Sequence, residues 1–124
     1  MIVRPGTYVS PHGKYDLTVT LASGIVNYSV TTASTGKKVA SAGGFSDSHR
    51  WFFFWDQQNR LWSYNSDMGP FGLWQDDANG VFAMKIVSAS SPLLASMPKT
   101  VYDYLPNRMK RVLQIESGLP SQAP

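Results

Sequence analysis

Two histidines, seven aspartates and one glutamate are the side chains through which this 124-residue sequence could perform acid–base or metal chemistry. His12 sits in a Pro-His-Gly turn and His49 precedes an aromatic run; neither has a second ligand at the spacing a metal site requires. Both read as surface turn histidines. Cysteine is absent, which excludes disulfides, thiolate metal sites and thiol catalysis. Asp47, Asp56, Asp67, Asp76 and Asp77 fall in turn sequences, where a short carboxylate bonds its own backbone. A glycosidase-like pair of Asp56 with Asp67 or Asp76 stays open, because such a pair is defined by distance in space. Asp76-Asp77-Ala78-Asn79-Gly80 resembles the start of a calcium loop but places Ala78 and Val87 where oxygen ligands belong, so it reads as a turn. No glycine-rich phosphate loop or nucleophile motif occurs. The expectation is a chain with no catalytic residues, no metal and no cofactor.

What stands out instead is aromatic density. Trp51-Phe52-Phe53-Phe54-Trp55 is followed by Arg60, Trp62 and Tyr64. In an extended strand those last three share a face, opposite Leu61, Ser63 and Asn65. Flat apolar rings with polar tips stack sugars or bases and form protein hot spots. The candidate ligand-binding residues are therefore Arg60, Trp62 and Tyr64, with Asn65, Asp67 and Trp74 supplying further contacts. The leading expectation is a non-catalytic binding domain for a small molecule or glycan. The alternative is a protein-interaction module or inhibitor, including a homodimer. Third is single-stranded nucleic-acid binding through Arg50, Arg60 and a basic C-terminal helix, which a net charge of only +3 disfavours. Against all three stands the plainer arrangement in which Trp62 and Tyr64 fill the core and Arg60 reaches outward.

The elements that would position these residues are mostly strands. Tyr15, Leu17, Val19 and Leu21 alternate with polar residues, and after Ala22-Ser23-Gly24 the alternation resumes with Val26, Tyr28 and Val30, predicting a hairpin. Lys37–Ala40 predicts a short edge strand because of its paired lysines, and 41–48 a Ser/Gly loop. The aromatic block, apolar on both faces, predicts a central strand covered on both sides. Strands follow over 60–65, 71–75 and 81–88, separated by turns at 56–59, 66–70 and 76–80. The segments from Trp55 and from Trp74 echo each other at a spacing of 19 residues, which similar turn chemistry in two hairpins explains.

Beyond residue 90 the period changes. Ser91-Pro92 and Thr100-x-x-Asp103 are helix-start signals, and Val101, Leu105, Met109 and Val112 form a helical stripe that Pro106 must kink or divide. Gly118 and Pro120 supply a stop. The expected fold is mainly β: an antiparallel meander of about seven or eight strands forming a curled sheet or small barrel, with one or two C-terminal helices packed against it. It occupies 1–116 as a single domain, with a flexible tail over 117–124.

Charged residues make up 15% of the chain, against about 25% in an average domain. No apolar run approaches the ~20 residues needed to cross a bilayer. No secretory signal is visible, so the expectation is a soluble protein whose compartment the sequence leaves open.

Overall fold

The alternation between Tyr15 and Thr32 resolves into a two-residue hairpin. In the computed structural model, which describes residues 1–68 and 71–115, strand β2 (Tyr15–Ala22) pairs antiparallel with β3 (Ile25–Thr32) across Ser23 and Gly24. Both turn residues have positive φ, 51° and 77°, as the twist-matched tight hairpin requires. Strand β1 (Gly6–Val9) joins the outer edge of β2, and β4 (Lys38–Ser46) joins β3, giving a sheet of order β1-β2-β3-β4. The edge position expected for the Lys37–Lys38 segment holds. Its length does not, because the strand continues through the Ser/Gly stretch expected to be a loop. A register shift between Val26 and Asn27 accommodates Gly43, whose φ of +126° lets the chain bulge past Asn27.

The second sheet has the order β5-β6-β7-β8: Trp51–Trp55, Leu61–Asn65, Phe71–Asp76 and Phe82–Ile86. The aromatic block β5 is covered on both faces, as its composition demands, but it is an edge strand and not a central one. Double-sided burial constrains the faces of a strand and says nothing about its edges. The outer edge of β5 is met by Ile2, which exchanges backbone hydrogen bonds of 2.9 Å in both directions with Phe53.

The two sheets pack face to face. Leu17, Val19, Val26, Val30 and Phe45 of the first meet Trp51, Phe53, Trp55, Leu61 and Phe82 of the second in one buried cluster. The opposite face of the second sheet, carrying Phe52, Trp62, Tyr64, Phe71 and Leu73, is covered by the C-terminal segments through Leu94, Met97, Val101, Leu105, Leu113 and Ile115. The result is three layers, sheet on sheet on helices. The sheets do not close on one another, so the expected small barrel gives way to two separate antiparallel sheets.

Ser91 caps a 3-10 helix at Pro92–Ser96, its hydroxyl accepting from the Leu93 amide, as its sequence signals. Pro106 divides the expected long helix in two, α1 (Lys99–Tyr104) and α2 (Asn107–Leu113). The break also resets the stripe: Val101 and Leu105 are buried, whereas Val112 is 60% exposed and Leu113 takes the inward position. Thr100 and Asp103 do not form a cap, because α1 begins at Lys99, and Asp103 pairs instead with Lys99 at 2.7 Å. The Gly69-Pro70 corner, the Gly118 and Pro120 stop and the expected tail lie outside the described residues.

Candidate functional site

Arg60, Trp62 and Tyr64 share one face of the β6 hairpin, as alternation requires, but that face is the floor of the helical layer. Trp62 is fully buried and Tyr64 is 2% exposed. Trp62 stacks on Phe71 with ring centroids 5.7 Å apart, and Phe52 is flanked by Tyr64 and Tyr104. The row is core. Its rings offer a ligand no surface, because the chain itself brings a matching apolar layer over them.

Asp56 explains why Arg60 is buried with them. Its Oδ1 accepts from the backbone amides of Gln58 (2.8 Å) and Arg60 (3.1 Å), while Oδ2 accepts from Arg60 Nε (2.8 Å) and from the Trp62 indole N–H (3.0 Å). One carboxylate thus ties a turn, a guanidinium and a core indole together. The rest of the guanidinium donates to Ser96, Nη1 to its hydroxyl and Nη2 to its carbonyl. Arg50 acts similarly at the other end of the hairpin, donating to the Tyr104 carbonyl (2.7 Å) at the end of α1. The two arginines pin the helical layer at two points. A hollow of about 270 Å³ beside Arg60, lined by Phe54, Gln57, Ser96 and Pro98, remains at the seam.

The Asp56 turn has a counterpart. Asp77 Oδ1 accepts from the Asn79 and Val81 amides (2.8 and 3.0 Å), reproducing both backbone bonds of Asp56. Asn59 (φ 56°) and Gly80 (φ 77°) fill equivalent left-handed positions. The echo in the sequence is therefore a repeated turn, aligned on Asp56 and Asp77 rather than on the two tryptophans.

The remaining expected site residues are dispersed. Asn65 Oδ1 accepts from the Met68 amide (2.8 Å) and Asp67 Oδ2 from the Ser46 amide (2.7 Å), both at the end of β6 away from Arg60. Trp74 belongs to the core between the sheets, donating to the Tyr28 hydroxyl (3.1 Å) and stacking on Phe82 with centroids 5.7 Å apart. Burial, the largest influence on Tyr28, raises its phenol pKa despite the opposing bonds from Trp74 and Ser63. The histidines serve turns: His12 Nε2 meets the Gln57 carbonyl (2.7 Å), and His49 lies 3.5 Å from Asp67. Among the described residues no group of His, Asp or Glu is arranged to hold a metal ion.

A larger concavity opens where the two sheets separate at the β7–β8 turn. It encloses about 480 Å³ and is lined by Lys14, Tyr15, Thr32, Lys37, Lys38, Val39, Gly80, Val81 and Phe82. Its lining combines lysines, of which Lys38 also borders the outer face of the first sheet, with an apolar floor. Backbone pairing assembles the rim: Thr32 N–H donates to the Lys37 carbonyl (2.8 Å), and Ala33 N–H donates to that of Lys14 (3.0 Å). Tyr15 and Phe82, from opposite sheets, touch at the floor. The Lys14 ammonium and the Tyr15 hydroxyl both donate to Asp76, and the ammonium also lies 5.3 Å from the Tyr15 ring centroid. Burial and the Asp76 bond raise the Tyr15 pKa well above that of free phenol. For Asp76, burial alone would push the pKa up, but the bonds from Lys14 and Tyr15 outweigh it and hold it below the usual carboxylate value. Lys37 and Lys38 are exposed and form no ion pair with a described residue.

Sequence reasoning passed over this cleft because each of its parts had a local explanation. The lysine pair reads as edge-strand protection, Gly80-Val81 as a turn, and Tyr15 as an ordinary inward residue. The available signal is the hairpin register, which sets Tyr15 opposite Thr32 and so carries Lys14 toward Lys37. Of the residues expected from sequence, Trp74 comes nearest, through its stack on Phe82. Comparison of this chain with protein-family models, with curated proteins and with solved structures finds no match.

Proposed function

We propose that this protein is a non-catalytic binding domain that holds a small molecule in the lysine-rimmed cleft between its sheets. The observation that carries this reading is the cleft itself: about 480 Å³ of space within the usual range of small-ligand sites, with an aromatic and aliphatic floor and a few polar groups at its rim. The non-catalytic part rests on the carboxylates. Asp56 is committed to Arg60 and Trp62, Asp67 to the Ser46 amide, Asp76 to Lys14 and Tyr15, and Asp77 to its turn, so that none of these four is free to pair across a cavity. The binding role anticipated for the aromatic row thus passes to a neighbouring surface, with the row supporting the sheet from behind.

An amide-resolved NMR screen of a small-molecule fragment set against the labelled protein tests this reading. Ligands are expected to shift signals of residues 14–15, 32, 37–39 and 80–82 together. Shifts clustered around Phe54, Arg60 and Pro98, or the absence of any fragment that perturbs the cleft, would overturn it.

A further inference from the structure

We infer that the ligand of this cleft is an organic anion with an apolar body, its charged head held by Lys37 and its body against Tyr15, Val39, Val81 and Phe82. The inference rests on the small-molecule reading of the cleft and adds the chemical class. It follows from the disposition of charge. Of the three lysines at the rim, Lys14 is already neutralised by Asp76, which also receives the Tyr15 hydroxyl. Lys37 has no such partner among the described residues, and the cleft lining contains no carboxylate, whereas Lys38, set opposite Thr31, turns toward the outer face of the sheet. An uncompensated ammonium at a rim without carboxylates favours an anion through a charge-assisted hydrogen bond, and repels a cation.

The body of the ligand is specified by the floor. Tyr15 and Phe82 are 4% and 5% exposed, so they present ring surface at the bottom of the space without standing out from it. Val39 is half-buried and Val81 is 57% exposed. An alkyl or aryl group lying over these residues would remove the exposed surface of Val39 and Val81 from water. The Tyr15 hydroxyl donates to Asp76, so that its proton is not offered to the ligand.

The test is a head-group series on one chain length: laurate, dodecanol and dodecyltrimethylammonium, each below its micelle concentration. Binding is followed through the emission of Trp55 and Trp74, which stack on Tyr15 and Phe82. Laurate is expected to bind tightest and the ammonium weakest. The variant Lys37→Gln, at an exposed position, should fold normally by circular dichroism. It should weaken laurate about tenfold and bring it to the level of dodecanol, whose own affinity stays unchanged. Equal affinities for the three head groups, with dodecanol perturbing residues 80–82, would overturn the anion class while leaving the cleft reading intact. Laurate binding that is indifferent to Lys37→Gln would also overturn it. Failure of all three to bind, together with a fragment screen that leaves the cleft untouched, would overturn both.

Discussion

Tyr15 of the first sheet and Phe82 of the second lie with ring centroids 4.6 Å apart and planes tilted by 44°, joining the two sheets at the floor of the lysine-rimmed cleft. Behind them Trp55 stacks parallel to Tyr15, and Trp74 to Phe82, with centroids 6.3 and 5.7 Å apart. The cleft is thus backed by four rings drawn from both sheets.

The two matched turns separate the cost of a turn bond from the cost of a buried charge. Asp77→Ala removes two backbone bonds at an exposed turn and should cost about 1 kcal/mol. Asp56→Ala removes the same two bonds and also strands Arg60, whose side chain is 10% exposed, so the cost should reach about 3–5 kcal/mol. Urea unfolding of the two variants side by side measures the difference; equal costs would show that the ion pair contributes nothing beyond the turn.

Trp62 tests the assignment of the aromatic row to the core. Trp62→Phe keeps a ring but removes a donor to a buried carboxylate, for a loss of about 1–3 kcal/mol. Trp62→Ala opens a cavity as well, costing about 3–5 kcal/mol from the ring alone, a large part of the stability of an ordinary domain. In Trp62→Phe, laurate affinity should match that of the parent. A selective loss of binding in a well-folded Trp62→Phe protein would return the site to the row.

The Asp76 cluster gives stability two pH limits. The folded pKa of Asp76 is lowered from 3.8, so its contribution is complete above that value and is lost as pH falls through the folded pKa. The folded pKa of Tyr15 is raised from 10.0, so its contribution is complete below that value and is lost as pH rises toward the folded pKa. Melting temperatures should therefore show a constant advantage over Asp76→Asn and over Tyr15→Phe between about pH 5 and about pH 9. The advantage over Asp76→Asn should shrink in acid, and that over Tyr15→Phe in alkali. A Tyr15→Phe difference that stays constant through high pH would contradict the assignment.

Two glycines differ in what surrounds them. A Cβ on Gly43 would lie 2.5 Å from the Asn27 Cα and 2.7 Å from the Val26 carbonyl oxygen, both backbone, at a φ of +126°. Gly43→Ala should cost about 3 kcal/mol and spread the β3–β4 bulge. At Gly72 the nearest atom is the Met84 sulfur at 2.7 Å, the end of a flexible side chain, so Gly72→Ala should cost only about 1 kcal/mol. Hydrogen exchange at Asn27 and Gly44 distinguishes the two.

Much of the strand plan is legible from period two and turn chemistry alone: the Ser23-Gly24 hairpin, the double-sided β5 and the Asp56 and Asp77 turns. The bulged half of β4 is not, because Ser and Gly in that strand carry loop propensity, and only pairing with β3 makes Ser41–Ser46 extended. The row of Arg60, Trp62 and Tyr64 is correctly aligned by alternation. Alternation cannot say which layer lies over a face, however, and here Leu94, Met97, Val101 and Leu105 cover it. The cleft is the least legible feature, since it joins residues 14–15, 32–39 and 80–82 through packing of one sheet on the other. No local pattern encodes that packing.

The most direct measurement is a set of intermolecular nuclear Overhauser effects between the alkyl protons of bound laurate and the protein. Contacts to the Tyr15 and Phe82 rings and to the methyls of Val39 and Val81 are predicted. Contacts confined to Phe54 and Pro98, or to the outer face of either sheet, would contradict the cleft as the binding site.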